Sequence, residues 1–281
     1  MTARVLHVSD LHIGRRDTLE PVAALKELVS QLRPDLVLAT GDLAHRGRRH
    51  QLAHAREILE DVGAEYLAVP GNHDIPYTFP ARFTRTFAEW ERVFGPVEPV
   101  FDSDELMVVG MSSVRPWRQQ GGAVKDTALQ WATARLRETP PSALRIVALH
   151  HHLAAPPWRA ARKRPLKQRG RVLAALAGAG AELVVGGHVH QASIAELREF
   201  RAAEGGRAGS LVLATAPGLG RPRPHRSGEA QGLNVYETDG RVLTVVTLAW
   251  DGGSFAEIGR RAFPRRLPER KFTRANFRSG I

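Results

Sequence analysis

The chain reads YLAVPGNHD from Tyr66 to Asp74, and this stretch gives the clearest indication of the fold. Its first four residues form a short apolar run of the kind that makes a buried strand, and a Pro-Gly pair ends the run. Three polar side chains follow at once, those of Asn72, His73 and Asp74. A strand that presents amide, imidazole and carboxylate groups at its carboxyl end is typical of a parallel α/β sheet, where ligands bind at that end.

The same arrangement recurs on both sides of this stretch. Apolar runs at 5–9 and 36–39 precede it, and similar runs at 145–149 and 182–185 follow it. Each run ends in a polar cluster, and the clusters come in a fixed order: Asp10-x-His12, Gly41-Asp42, Gly71-Asn72-His73-Asp74, His150 and Gly187-His188-x-His190. Apolar residues at helical spacing predict helices between the strands, at 20–32, 48–62, 83–94, 126–138 and 170–177. The alternation predicts an α/β fold with strands of another type, at 211–215, 233–237 and 242–248, in the last third.

The side chains of these clusters are carboxylates, imidazoles and an amide. Nitrogen and oxygen donors without sulfur favour Mn, Fe, Zn, Ni or Co over thiophilic metals. Two ions that share one carboxylate need about seven protein ligands, and ions about 3.5–4 Å apart can activate water and clamp both oxygens of a displacement. The clusters supply that number of ligands, so they predict a two-metal hydrolytic site.

In this order the motifs resemble the signature of the calcineurin-like metallophosphoesterases, over about residues 5–190. The resemblance implies an α/β, four-layer α/β/β/α sandwich of two mixed sheets with a dinuclear metal site at the strand ends. It also implies two divalent or trivalent transition-metal ions, namely Mn, Fe or Zn, and hydrolysis of phosphate esters by a metal-bridging hydroxide. We expect residues 1–281 to form a single domain, with 260–281 as a basic tail that is extended over the surface or mobile.

The resemblance also assigns roles to individual residues. One metal would bind Asp10, His12 and His190, the other would bind Asn72, His150 and His188, and Asp42 would bridge them. His73 resembles the catalytic imidazole of the family, and Asp74 would orient it. The strand at 145–149 runs into three consecutive histidines, so His151 stays open as the alternative to His150.

Within the superfamily, the chain most resembles the bacterial class III cyclic nucleotide phosphodiesterases. This implies a small phosphate ester, similar to a cyclic nucleotide, as the substrate. Arg115, Trp117 and Trp158 lie in loops expected over the metals, where an arginine can hold phosphate and a tryptophan can stack on a base. Packing of the loops is the alternative role for the two tryptophans.

The net charge of +11 leaves two other functions open. A nuclease would explain the basic residues at 158–171 and the basic tail, and a nucleic-acid-binding module with structural metals would explain the charge alone. Arginine is abundant along the whole chain, as GC-rich codon usage would produce, so we do not favour nucleic acid as the partner. There is no cysteine and no apolar run long enough to span a bilayer, and the N-terminus does not resemble a signal peptide, so we expect a cytoplasmic enzyme.

Overall fold

The structure is a computed structural model that describes residues 2–14, 20–118, 120–154, 163–197, 211–220 and 229–265. The strands are β1 (Ala3–Val8), β2 (Leu36–Ala39), β3 (Tyr66–Ala68), β4 (Val100–Asp102), β5 (Leu106–Gly110), β6 (Leu144–Ala148), β7 (Leu183–Gly186), β8 (Ser193–Glu196), β9 (Val212–Thr215), β10 (Gly232–Thr238), β11 (Val242–Trp250) and β12 (Phe255–Pro264). The helices are α1 (Glu20–Leu32), α2 (Arg49–Asp61), α3 (Ala81–Thr84), α4 (Ala88–Phe94), α5 (Asp126–Glu138) and α6 (Arg169–Gly178).

The strands form two mixed six-stranded sheets. The first has the order β12-β11-β10-β1-β2-β3, in which β1, β2 and β3 are parallel and β10 to β12 form an antiparallel meander. The second has the order β4-β5-β6-β7-β9-β8, with four parallel strands between antiparallel edges. The predicted mixed-sheet architecture is therefore confirmed.

Three apolar clusters fill the spaces between the layers of helices and sheets. The central one joins the two sheets face to face, since it contains Val5 and Leu38 of the first sheet together with Val108 and Ile146 of the second. A second cluster packs α1, α2 and α4 on the outer face of the first sheet. A third packs α5 and α6 on the outer face of the second. Both parallel regions are buried on both faces, which explains why their strands read as continuous apolar runs.

The predicted helix at 83–94 is wrong as a single element. The structure divides this region into α3 and α4, because Thr86 Oγ1 donates to the Arg82 carbonyl at 2.8 Å and the backbone leaves helical geometry at Arg85. A side-chain hydroxyl that takes over a helix carbonyl in this way competes with the helix.

Three edge strands, β4, β8 and β12, had no clear apolar signal in the sequence. The predicted tail begins too early, because residues 260–264 form the end of β12 and pair with β11. Residues 266–281 lie outside the described residues.

No helix within the described ranges has both the length and the apolar character that a bilayer crossing requires.

His7, in β1, joins β10 and the residue that follows β2 in the core. Its Nδ1 lies 2.7 Å from Tyr236 Oη and its Nε2 lies 2.8 Å from Thr40 Oγ1, and the ring is completely buried. Burial lowers the pKa of His7 to about 3, although the carboxylate of Asp10 acts in the opposite direction. The folded protein therefore keeps this imidazole neutral at pH values where the unfolded chain protonates it.

We expect His7 to make the unfolding free energy depend on pH. Between pH about 6.5 and about 3 the unfolded chain binds a proton that folded His7 does not, so stability falls by about 1.4 kcal/mol per pH unit as the pH decreases. Urea unfolding of chelator-treated protein at a series of pH values measures this slope. His7→Gln should reduce the slope by about one proton, whereas His54→Gln, on the exposed face of α2, should not. Equal slopes for all three proteins would contradict the prediction.

Candidate metal centre

The side chains predicted as ligands meet at the carboxyl ends of five strands. Those that follow β1, β2 and β3 come from the first sheet, and those that follow β6 and β7 come from the second. Two loops of the first sheet run side by side, since the Asp10 amide donates to the Gly41 carbonyl at 2.9 Å and the His12 amide to the Asp42 carbonyl at 2.8 Å. All seven side chains are at most 4% exposed, so they face each other at the seam between the sheets.

One group consists of Asp10, His12 and His190. Asp10 Oδ1 lies 3.1 Å from His190 Nε2 and 3.8 Å from His12 Nε2. The two Nε2 atoms are 3.3 Å apart. Three potential ligand atoms thus converge on one point from two different sheets.

The second group centres on His150. Its Nε2 lies 3.4 Å from Asp42 Oδ2, 3.2 Å from Asn72 Oδ1 and 3.1 Å from His188 Nδ1. Asp42 Oδ2 is also 4.0 Å from His12 Nε2 of the first group. A single carboxylate oxygen therefore borders both groups.

These contacts fit metal ligands. Nitrogen and oxygen ligands bind such ions at about 2.0–2.2 Å, so neighbouring ligands of one ion lie about 3.0–3.5 Å apart. Among the described residues, Asp10 Oδ1 is buried without a hydrogen-bond donor, although its other oxygen has two. The donors are carboxylates, imidazoles and an amide, a set that suits Mn, Fe or Zn.

The backbone at these positions is held in an unusual conformation. Seven described residues other than glycine have positive φ, and five of them are predicted ligands. These five are Asp10 (54°), His12 (53°), Asp42 (53°), His188 (70°) and His190 (56°). Left-handed geometry costs about 1–2 kcal/mol for an L-residue, so its concentration at one site indicates that the surrounding structure enforces it for a functional reason.

Hydrogen bonds to the atoms that do not face the other ligands hold the ligand side chains in place. His150 Nδ1 donates to the Thr40 carbonyl at 2.8 Å, which leaves its Nε2 free for an ion. Asp10 Oδ2 accepts from Ser9 Oγ at 2.7 Å and from the His188 amide at 2.9 Å. A Cβ atom at Gly187 would lie 1.8 Å from Ser9 Oγ, so this close approach requires glycine.

Asp42 and His150 hold each other in charged form. Burial raises the pKa of Asp42, but the positive charges of His150 and His73 outweigh it and hold this pKa well below its usual range. Burial lowers the pKa of His150, but Asp42 outweighs that effect and raises it to about 9. An ion that binds to His150 must therefore displace a proton from it.

His73 lies beside the first group. Its ring contacts the His12 ring edge-on at 4.8 Å between centroids, and its amide donates to Asp42 Oδ1 at 2.7 Å. Its Nδ1 lies 2.9 Å from the His45 carbonyl, which only accepts, so Nδ1 carries a proton. This leaves Nε2 as the atom that can exchange a proton with a ligand.

The role predicted for Asp74 is wrong. Its Oδ1 accepts from the Ala44 amide and its Oδ2 from the Gly71 amide, both at 2.7 Å. The partners described for the His73 ring are the His45 carbonyl and the Tyr77 hydroxyl instead. Burial, followed by the nearby charge of Asp42, raises the pKa of Asp74 to about 7. Asp74 therefore joins the loops after β2 and β3 and does not orient His73.

Comparison with known proteins agrees with this geometry. Residues 3–192 match the family described as calcineurin-like phosphoesterase. The chain belongs to the calcineurin-like phosphoesterase family.

Two relatives of this chain carry phosphodiesterase names. The chain is 29% identical over 204 residues to a probable cyclic nucleotide phosphodiesterase of Rhodococcus erythropolis, across 68% of this chain and 66% of the relative. It is 26% identical over 200 residues to a cAMP/cGMP dual specificity phosphodiesterase of Mycobacterium tuberculosis, across 66% of this chain and 61% of the relative. The matches thus span less than two thirds of either relative. The purple acid phosphatase PPD1 of yellow lupin shares the fold with a TM-score of 0.68 at 14% identity, across 94% of this chain and 53% of that one.

The predicted substrate contacts of the chain have different surroundings. Trp117 is 68% exposed. Arg115 is buried, and its Nη1 donates to the Val114 carbonyl at 2.6 Å, so it braces its own loop. Trp158 lies outside the described residues. His151, the alternative to His150, is completely buried, with its Nδ1 2.9 Å from Ser113 Oγ.

Two residues near His73 received no role from the motifs. The His45 ring stacks on the His73 ring at 5.8 Å, and the Tyr77 hydroxyl lies 2.6 Å from His73 Nδ1. Their positions, three residues after Asp42 and four after His73, place them in the loops that carry the motifs. That proximity is the only sequence signal that identifies them.

We expect chelator-treated protein to take up two Mn ions per chain, measured by elemental analysis after desalting. Asp42→Asn should weaken both sites, because Asp42 Oδ2 borders both groups. Asp251→Asn, in an exposed turn, should retain both ions. Two tightly held ions in the Asp42→Asn protein would contradict the shared role of this carboxylate.

Proposed function

We propose that this phosphoesterase hydrolyses small phosphodiesters, with cyclic nucleotide-like esters as its substrate class. One observation carries the proposal: a single buried oxygen, Asp42 Oδ2, borders two groups of ligands with His73 beside them. A shared carboxylate between two nitrogen-rich groups is what a pair of cations requires, since its charge offsets their repulsion.

The proposed ligands divide between two ions. Asp10, His12 and His190 would hold one ion, and Asn72, His150 and His188 would hold the other, with Asp42 shared. When bound, such a pair lowers the pKa of water and offsets the charge that builds up on a phosphate. The chain contributes the left-handed loops and the hydrogen bonds to the ligand side chains, which fix the donors in advance.

His73 is the proposed proton donor. When water adds to phosphorus, the bond from phosphorus to the leaving oxygen breaks, and that oxygen needs a proton. His73 Nδ1 is held by the His45 carbonyl, so a cationic His73 can give its Nε2 proton to the leaving oxygen. Its edge-on contact with His12 keeps the ring next to the ligand groups.

The substrate class rests on the relatives and on the surface around the site. Both phosphodiesterases named above act on cyclic nucleotides according to their names. Nucleic acid is less well supported, because two described basic residues of the segment 158–171 are already engaged. Lys163 is buried and donates to the His188 carbonyl, and Arg171 pairs with Asp126. A cytoplasmic location stays a prediction from the sequence.

We expect Mn-loaded protein to hydrolyse 3′,5′-cyclic AMP and bis(p-nitrophenyl) phosphate, and chelation to abolish both activities. A substrate panel with single-stranded DNA included measures the preference. Efficient cleavage of DNA with a steep loss of affinity at higher salt would favour a nuclease instead. Loss of all hydrolysis in protein that holds two ions would refute the proposed function.

His73→Ala should keep both ions and lower kcat by about 10²–10⁴-fold on an ester with a poor leaving group, the usual range for acid–base assistance. The loss should shrink on a p-nitrophenyl ester, since nitrophenolate leaves without a proton. His54→Ala is the matched control on an exposed helix face. Equal losses on both esters would rule out proton donation by His73.

A further inference from the structure

Four exposed aromatic side chains lie in two segments that Arg82 joins, and one of the four contacts His73. The described residues contain six exposed large hydrophobic side chains, of which Trp131 and Ile258 lie outside these two segments. The other four, which we call the aromatic rim, are Tyr77 (41% exposed), Phe79 (83%), Phe83 (51%) and Trp117 (68%). Scattered apolar residues on a surface need no explanation, whereas exposed rings in two joined segments next to a candidate site suggest a surface for a ligand.

The rim begins at the proposed proton donor. The Tyr77 hydroxyl lies 2.6 Å from His73 Nδ1, and the two rings are 5.5 Å apart. The His73 ring in turn lies 4.8 Å from that of His12. Tyr77 therefore connects the rim to the ligand groups through His73.

Arg82 holds the two segments of the rim together. Its side chain is buried, with Nε donating to the Pro116 carbonyl at 2.7 Å and Nη1 to the Pro76 carbonyl at 3.0 Å. Its guanidinium also lies 6.0 Å from the centre of the Tyr77 ring. Tyr77 and Trp117 each follow directly on one of these carbonyls, so Arg82 fixes the backbone beside both rings. Such a surface is organised before any ligand arrives, which lowers the entropic cost of binding.

We propose that Tyr77 and Trp117 form a subsite for the planar base of a nucleotide whose phosphate binds at the metal centre. The inference rests on the proposed function and specifies its substrate class. In a nucleotide the base lies one sugar away from the phosphate, and Tyr77 lies one side chain, His73, away from the ligand groups. Aromatic rings bind bases by stacking without distinguishing strongly among them, so the subsite selects for a base but weakly between bases.

Equilibrium binding tests the subsite without turnover. The probes are adenosine 5′-monophosphate and ribose 5-phosphate, titrated calorimetrically into the Mn-loaded full-length chain. We expect the parent to prefer the nucleotide, and Trp117→Ala to reduce that preference by about 5- to 150-fold, the range that one stacked base supplies. Tyr77→Ala should act in the same direction, while Tyr77→Phe should keep most of the preference because the ring remains.

A control variant and a kinetic measurement distinguish the base subsite from the proposed hydrolytic function. Trp131→Ala removes an exposed tryptophan from α5 and should leave the preference unchanged. The ratio of kcat/KM for 3′,5′-cyclic AMP to that for methyl ribofuranoside 3′,5′-cyclic phosphate should fall with the binding preference, mainly through KM.

Three outcomes have distinct meanings. A parent that lacks any preference for the nucleotide, or variants that retain it fully, would overturn the subsite even if hydrolysis is efficient. A nucleotide preference that depends on Trp117 in a protein that hydrolyses no diester would support the subsite and refute the proposed function. If Trp117→Ala leaves the preference intact but abolishes self-association in sedimentation, the rim is an interface between copies of the chain and the proposal is wrong.

Discussion

The whole site depends on the compensation of two buried negative charges. Asp10 and Asp42 are at most 1% exposed, and their carboxylates have imidazoles, backbone amides and a hydroxyl as neighbours. An isolated carboxylate in such surroundings would be prohibitively unfavourable. Every other feature of the centre, from the convergence of histidines to the short strand-end loops, places positive charge or hydrogen-bond donors around these two groups.

The same requirement explains where the chain accepts strain. Asp10, Asp42 and three of the histidines around them adopt left-handed backbone geometry, which turns their side chains back toward the centre immediately after a strand ends. If the backbone continued in the direction of each strand, the ligand side chains would not converge on one centre. Because hydrogen bonds between neighbouring loops hold these turns, the strained conformation belongs to the fold itself.

The sequence predicts the parts of the protein in which a repeated physical pattern acts locally. Apolar runs that end in Asp10, Asp42, Asn72, His150 and His188 predict both the sheet and the approach of these residues to each other, because parallel strands share an edge. The motif does not reveal which residues its own members contact. Asp74 follows His73 in the chain but bonds to amides of two loops, and the His73 ring meets Tyr77 and the His45 carbonyl instead.

Other features could not be predicted from the sequence, because they too depend on contacts in the folded protein. The division between α3 and α4 depends on what Arg82 and Thr86 contact in the folded protein, and helical periodicity does not report such contacts. The edge strands β4, β8 and β12 pair on one side only, and β12 is exposed along most of its length, so it lacks the apolar signature of a central strand. Of the aromatic rim, the sequence indicated Trp117 but not Tyr77, Phe79 or Phe83, because exposure is a property of the tertiary structure.

The seam between the sheets has a consequence for residues far from the chemistry. Each ligand group takes side chains from both sheets, so a relative slide of one layer by a single residue, about 3.3 Å, would break both groups at once. The central core of Val5, Leu38, Val108 and Ile146 therefore sets the alignment of the two halves of the site as well as burying apolar surface. The shapes of these core side chains determine the offset between the two sheets. A substitution that preserves core volume but shifts one sheet along the other therefore changes the distances between the metal ligands.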